Sequence, residues 1–303
     1  MSKFYLSLGL FFGLVATVDA QSFYSQRRER SLIATVGTGT STYFGELSNN
    51  GDYIHAKPNF NVGLQYYLTN RVSARAEASW FELSGSDAKA DPTGEHYRRV
   101  RNLSFRTDAV EVSLTAAVNL YQLGNRYYRR PTFNIFAFGG IGGMYFNPTT
   151  IYQGKRVALQ PLQTELVHYS KFGIVIPFGL GIRFKTGPNT NIAIEGGYRK
   201  TFTDYLDDVS TVHHDASKFS SPLAAALSDR GPEVGYPLSV EGWIRGNPKT
   251  KDGYMLLSVK LEYYLPDNFQ IFSGGGGPKR GGSFNRKRNS SFYRYNKGGR
   301  LRR

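Results

Sequence analysis

A period of two, repeated along the chain, restricts the fold more than any other feature. From Lys57 to Asn70, the residues Phe60, Val62, Leu64, Tyr66 and Leu68 share one face of an extended chain and Asn59, Asn61, Gly63, Gln65 and Tyr67 the other. No helix produces that spacing. Val72 to Phe81 repeats it, with Val72, Ala74, Ala76, Ala78 and Trp80 against Ser73, Arg75, Glu77, Ser79 and Phe81, after a turn of only Thr69-Asn70-Arg71. The pattern recurs in Ala109 to Leu120, Gly173 to Phe184, Ile192 to Tyr198 and Leu257 to Leu265, and more loosely in Ser31 to Tyr43. Thr132 to Tyr145 is aromatic and glycine-rich on both faces, so the pattern leaves its orientation open.

Eight strands of this kind fit a soluble sandwich or a membrane barrel, and lengths and connections decide between them. The strands have about the 9–11 residues that cross a bilayer when tilted. The connections alternate: Leu47 to Ala56 long, Thr69 to Arg71 short, Ser84 to Asn102 long, Tyr121 to Pro131 shorter, Asn147 to Ser170 long, Gly187 to Asn189 short, Phe202 to Asp252 very long. Outer-membrane barrels have such short periplasmic turns and long external loops. The expected fold is therefore all-β: an eight-stranded antiparallel transmembrane barrel in the outer membrane, with both termini periplasmic and the apolar stripes facing lipid.

The other face is then the lumen, and its charged members are Arg75, Glu77, Glu111, Arg183, Glu195, Arg199, Lys260 and Glu262, four of each sign. Eight strands enclose a space that side chains just fill. Charges placed there need counter-charges, because desolvation costs several kcal/mol per ion. A plugged lumen held by ion pairs is expected, not a channel.

The flanking segments divide the chain further. Residues 1–20 read as a signal peptide: Lys3, an apolar stretch from Phe4 to Val18, then Val18-Asp19-Ala20 before Gln21. Residues 21–30 follow as a periplasmic segment, 31–265 form the barrel, and 266–303 a basic, glycine-rich flexible tail. The whole chain carries a formal +15, of which +9 lies in that tail. The turn side of the barrel is basic too, at Arg71, Arg126, Arg129, Arg130 and Lys185. This asymmetry points to an acidic protein surface docking on the periplasmic side, with Arg126, Arg129, Arg130, Arg286, Lys287 and Arg288 as candidate contacts. Peptidoglycan carboxylates and anionic headgroups compete for the same role. Aromatic residues among the basic ones, as in Ser290 to Tyr295, imitate an RNA-binding tail, but an exported chain rarely meets nucleic acid, and no nucleic-acid partner is expected.

Catalytic signals are sparse. With no cysteine in the chain, thiolate catalysis, cysteine metal clusters and disulfides are excluded. No GxSxG elbow occurs, and the glycine runs at Gly37 to Gly39 and Gly139 to Gly143 lie within strands, not at helix starts. The densest polar cluster is Asp204, Asp207, Asp208, His213, His214 and Asp215, which lacks EF-hand or HExxH spacing and reads as loop hydrogen bonding in preference to a metal site. No enzyme activity, cofactor or metal is expected. A barrel binding a small molecule or lipid is the alternative, and it requires a cavity in the lumen.

Several segments resemble one family. They are Ser41-Thr42-Tyr43-Phe44-Gly45-Glu46-Leu47, Arg101 to Arg106, Leu159-Gln160-Pro161-Leu162-Gln163-Thr164-Glu165, Ile176 to Gly181, and above all Tyr198 to Ser210 with Asp204, Tyr205, Asp207 and Asp208. In order and spacing these are similar to the PorG-type barrels of the Bacteroidota type IX secretion system, over about residues 30 to 265. His213-His214 departs from the family's pattern, and the tail lies beyond the similarity. The resemblance implies an integral outer-membrane component without catalytic activity, contacting a periplasmic ring of PorK-like lipoprotein and PorN-like protein; a paralogue of such barrels that acts outside secretion is a second alternative.

Overall fold

A computed structural model describes residues 31–49, 56–90, 96–124 and 126–266. The expected signal peptide, the segment 21–30 and the basic tail, with Arg286, Lys287 and Arg288, lie outside the described residues. Strands β1 (Leu32–Phe44), β2 (Lys57–Tyr67), β3 (Val72–Ser86), β4 (Ser104–Asn119), β5 (Phe133–Tyr152), β7 (Phe172–Lys185), β8 (Thr190–Thr201) and β9 (Gly253–Tyr264) pair antiparallel with their sequence neighbours. β9 also pairs with β1, from Ile33 opposite Tyr264 to Phe44 opposite Gly253, and the sheet closes. The wall is an eight-stranded barrel.

A short β6 (Lys155–Ala158) stands outside that wall as a hairpin on the end of β5. The expected loop from Asn147 to Ser170 thus begins later than the alternation indicated. Thr149-Thr150-Ile151-Tyr152 is β-branched and aromatic, and Gln153 and Gly154 take φ of 48° and 75°, the two positive values of a hairpin turn. Most other strands also run further toward the long loops than their patterned cores: β3 to Ser86, β4 from Ser104 and β9 from Gly253. Their extra residues pack on the loops, so their two-residue period fades.

The barrel is inverted relative to a soluble protein. Val62, Leu114 and Leu180 at mid-wall are 60–64% exposed, and the same apolar stripe runs around every strand. Aromatic side chains ring both edges of this belt: Tyr66, Phe133, Phe184 and Tyr263 toward the short turns, Phe60, Trp80, Tyr145 and Phe172 toward the long loops. Several meet in cross-strand pairs, Phe60 stacked on Trp80 at 5.9 Å and Tyr145 tilted against Phe172 at 5.0 Å between ring centroids. An aliphatic band between two aromatic girdles is the exterior that hydrocarbon and headgroups solvate, and the fold is that of a transmembrane β-barrel.

β5 resolves the orientation that its composition left open. Asn134, Phe136, Phe138, Met144 and Phe146 point inward, Ile135, Ile141 and Tyr145 outward. The inward rings fit because β7 and β8 carry glycine where the rings reach: a Cβ at Gly181 would strike the Phe136 ring, and one at Gly197 the Phe138 ring. β7 contains Pro177, and the β5–β7 ladder breaks between Gly139 and Gly142 where its missing N–H would have paired.

Replacing Leu114, in the middle of the outer belt, by lysine (Leu114→Lys) is expected to cost about 2–4 kcal/mol of stability in vesicles. Urea titrations of the refolded barrel, read by the heat-dependent gel shift, measure this against Tyr97→Lys, an exposed position on a loop helix.

Candidate functional site

The lumen rises in layers of paired charge from the short turns to the long loops. Arg183 and Glu262 come first, with Nε 2.6 Å from Oε2. Arg183 also donates to Asn119 Oδ1 at 2.8 Å and lies over the Phe136 ring, while Asn191 donates to Glu262 at 2.8 Å. Four residues form the next layer. Lys260 Nζ lies 2.5 Å from Glu77 and 2.8 Å from Glu195, and Arg75 lies 2.5 Å from Glu195 and 3.7 Å from Glu77. Above them Arg199 stands 3.5 Å from Glu111, whose Oε2 accepts from Tyr254 Oη at 2.7 Å. All eight residues are at most 5% exposed. The structure brings them together as three charge-neutral groups stacked along the axis.

Above the ion pairs the interior turns apolar and the loops close it. Phe81, Tyr43, Met144, Phe146 and Tyr254 from the wall pack against Leu103, Leu206 and Val209 from the loops. The last long loop therefore folds into the mouth as a lid. Polar contacts pin it: Thr107 Oγ1 donates to the Leu206 carbonyl at 2.7 Å, and Glu165 accepts from the N–H groups of Ser210 and Thr211 and from Arg245 at 2.7 Å. Asp87 receives Arg98 and Arg101 from helix α1 (His96–Arg101) together with the Leu103 N–H. Within the lid, Ser221 caps helix α2 (Pro222–Ser228), its Oγ accepting from Ala224 N at 3.1 Å with proline in the first turn.

The acidic segment 204–208 sits at the centre of this closure. Asp204, Asp207 and Asp208 are buried, and Tyr205 stacks on Tyr169 at 4.5 Å. Asp208 accepts from Thr164 and from Tyr169 Oη, the latter at 2.5 Å. His213 is carried to a different neighbourhood, near Arg245, Asp229 and Arg101, and Asp215 caps a surface turn at Ser217. The sequence cluster of aspartates and histidines is therefore split, and Asp207 meets Glu46 and Asp252 instead. Four segments that carry the family resemblance, 41–47, 101–106, 159–165 and 198–210, converge on this lid.

At the opposite end the basic residues divide. Arg126 and Arg129 are exposed, Arg126 donating to Tyr128 Oη at 2.5 Å. Arg130 is not a surface contact: it is buried and donates to Asn191 and to the carbonyls of Tyr127, Gly187, Pro188 and Thr190, while lying over the Tyr264 ring. It joins two turns beneath a small core of Ile33, Tyr67, Leu123 and Tyr264. Four backbone carbonyls take the place of the acidic partner expected for this arginine.

Sequence patterning missed Glu46, Asp87, Glu165, Arg245 and Asp252. All stand in loops or at loop edges with no periodic neighbours, and Glu165–Arg245 spans 80 positions. A usable signal was available only at Gly45-Glu46 and Glu165, inside the segments that carry the resemblance.

Removing either partner of a buried pair tests the lumen. Glu262→Gln strands Arg183 and is expected to destabilise the barrel by about 3–5 kcal/mol, most of it recovered when Arg183→Met is added. Urea unfolding of the three chains gives the comparison. In the lid, burial and then Arg245 lower the His213 pKa from 6.5 to about 4. The unfolded chain binds that proton more readily, so the His213 contribution is present above pH 6.5 and lost as pH falls toward about 4. Burial raises Asp208 to about 6 against the pull of Arg245, which gives stability of the opposite pH sign, equal in wild type and variant. Burial also works to raise Glu165, but Arg245 and the N–H donors outweigh it and hold it low, again equally in both chains. His213→Gln should therefore keep more lid protection than wild type on acidification, read by hydrogen exchange at residues 206–213.

No curated protein matches this sequence. Among solved structures, the chain is similar to Neisserial surface protein A at 7% identity, over 78% of this chain and 97% of that one, with a TM-score of 0.39. A major outer membrane protein from Thermus thermophilus gives 11% identity over 77% and 98%, with a TM-score of 0.40. Ail of Yersinia pestis gives 11% over 77% and 97%, with a TM-score of 0.35. Likenesses this remote say nothing of function. A family model described as a domain of unknown function (DUF6089) matches residues 10–221, well over half of the chain, from ahead of β1 through β8 and into the lid. On that match the chain belongs to the DUF6089 family.

Proposed function

We propose that this protein is an integral outer-membrane component of a type IX secretion system, a membrane anchor that works by protein contact and not by transport or catalysis. One observation carries the reading. A lipid-facing belt surrounds a lumen filled by three neutral ion-pair groups and closed by a lid, so the surfaces offered to partners are the two ends. The secretion role is supported by the PorG-like segments at 41–47, 101–106, 159–165 and 198–210. On this reading the turn end faces the periplasm, with Arg71, Arg126 and Arg129 exposed toward an acidic surface of the PorK-like and PorN-like ring.

A small-molecule barrel would need open lumen at the level of the ion pairs. A cavity of about 300 Å³ lies instead at the rim, between Ser41, Lys57, Gly85, Lys89, Arg106 and Thr150. It is too far up the wall to hold a ligand against the charged layers.

Charge reversal at the turn end tests the reading. Tagged chain carrying Arg71→Glu and Arg129→Glu, recovered from detergent-solubilised outer membranes at low salt, is expected to retain severalfold less ring protein than wild type. Wild-type recovery should itself fall as salt rises, since screening sets in within about 8 Å at physiological ionic strength. Recovery of no ring protein with the wild-type chain at low salt would refute the assignment to secretion. Equal recovery by wild type and variant would remove the basic turns from the contact.

A further inference from the structure

Every buried charge in the lumen has a counter-charge, and at the barrel mouth that rule breaks. Glu46, Asp207 and Asp252 bring one carboxylate oxygen each to within 4.8 Å of one another. Asp207 and Asp252 are 1% and 2% exposed, and among the described residues neither they nor Glu46 take part in an ion pair. Backbone donors hold the far oxygens: Val209 N on Asp207 Oδ1 at 2.9 Å, Leu206 N on Asp252 Oδ2 at 3.0 Å and Asn247 N on Glu46 Oε1 at 3.3 Å. The other oxygens of the two aspartates, Asp207 Oδ2 and Asp252 Oδ1, share the single Tyr43 hydroxyl.

A fourth buried carboxylate lies beside the trio. Asp204 is 2% exposed; its Oδ2 accepts from Ser210 Oγ at 2.6 Å, and its Oδ1 has no hydrogen-bond partner. Its charge acts on both Glu46 and Asp252, while Lys251 acts on it in the opposite sense. Glu46 Oε2 is likewise buried without a partner. Between the aspartates stands Tyr43, whose Oη is 2.8 Å from Asp207 and 2.6 Å from Asp252, although one phenolic proton serves one acceptor at a time. Gly45 permits this crowding, since a Cβ there would strike both the Tyr43 hydroxyl and Asp252 Oδ1. Burial, then repulsion from neighbouring acids, raises Glu46 and Asp207 above the usual carboxylate range, and burial raises Asp252 against the opposing Tyr43 hydrogen bond.

We propose that Glu46, Asp204, Asp207 and Asp252 hold a hard divalent cation of the calcium class at the mouth of the barrel. The donor set is oxygen alone, without histidine or cysteine, which selects a hard cation over zinc or copper. Calcium takes six to eight oxygens at about 2.3–2.6 Å in irregular geometry, a demand that carboxylates, backbone carbonyls and water meet together. Glu46 is only partly buried and gives the ion a route from the outside medium. The cation would tie the first long loop, at Glu46, to both feet of the last one, at Asp204 and Asp207 on one side and Asp252 on the other. The competing arrangement is a set of shared protons with no metal.

Purified full chain in detergent micelles, stripped with chelator, is titrated with calcium chloride while heat and unfolding temperature are followed. The expected result is a saturable isotherm of one ion per chain, with an affinity of about 10⁻⁴–10⁻³ M, as in extracellular calcium modules. A rise in unfolding temperature reversed by EDTA should accompany it. Asp252→Asn and Glu46→Gln are each expected to weaken binding by at least about tenfold, while Asp215→Asn, on an exposed turn, leaves it unchanged. The heat-dependent gel shift reports whether each barrel is intact, and Glu46→Gln at the half-open rim keeps the comparison available if Asp252→Asn does not fold. Absence of saturable binding at millimolar calcium, or wild-type affinity in Glu46→Gln, overturns the proposal. Because no ring protein enters this assay, its outcome is separate from that of the secretion reading.

Discussion

Neutrality inside a closed cylinder is the constraint on which this molecule rests. The wall has most of its apolar residues outside, so its lower half holds only small apolar clusters, around Tyr67 and Tyr264 and around Phe136 and Phe138, and the interior between them is made cohesive by charge. Arg75, Glu77, Glu195 and Lys260 succeed because each carboxylate meets two cations and each cation two carboxylates. No member can leave without stranding another in a medium that solvates it poorly. The aromatic rings of Phe136 and Phe138 complete these layers, lying beneath Arg183 and Arg75 and filling the space that inward glycines of β7 and β8 leave.

The loop end solves a different problem by different means. Its long segments carry many backbone polar groups over an apolar floor, and each needs a partner. Asp87 and Glu165 act as acceptor hubs, gathering N–H groups and guanidinium groups from residues far apart in sequence. The result is a lid whose inner surface, Leu206 and Val209, belongs to the barrel's own packing. The turn end is tied more economically, by one arginine that reaches four carbonyls.

How much of this could be read in advance follows from what a two-residue period encodes. It reports which side of a strand faces lipid, so the exposed stripes of β2, β4 and β7 and the inward position of all eight ionic residues were legible. It is silent where both faces have similar polarity. β5 is the clearest case, because its inward Phe136 and Phe138 look like outward residues until the glycines of neighbouring strands are placed beside them. It is equally silent in loops, where Glu46 and Asp252 meet across about 200 positions through chain closure and not through spacing. Arg130 shows the reverse error: its charge suggested an external role, whereas carbonyl oxygens beside it take its terminal nitrogens and the Asn191 side chain takes its Nε.

The last loop is tied down at its two feet and again through Arg230, which donates to Ser104 and Thr150 on the wall, so its exposed crown is the stretch beyond that contact. Val234, Leu238, Val240, Trp243 and Ile244 stand out from the lid, while Leu206 and Asp252 are sealed within it. Peptide inserted near Pro237 would project from the crown without disturbing the staves beneath. Such a crown can be remodelled, tagged or exchanged between relatives while the sealed cylinder below stays the same.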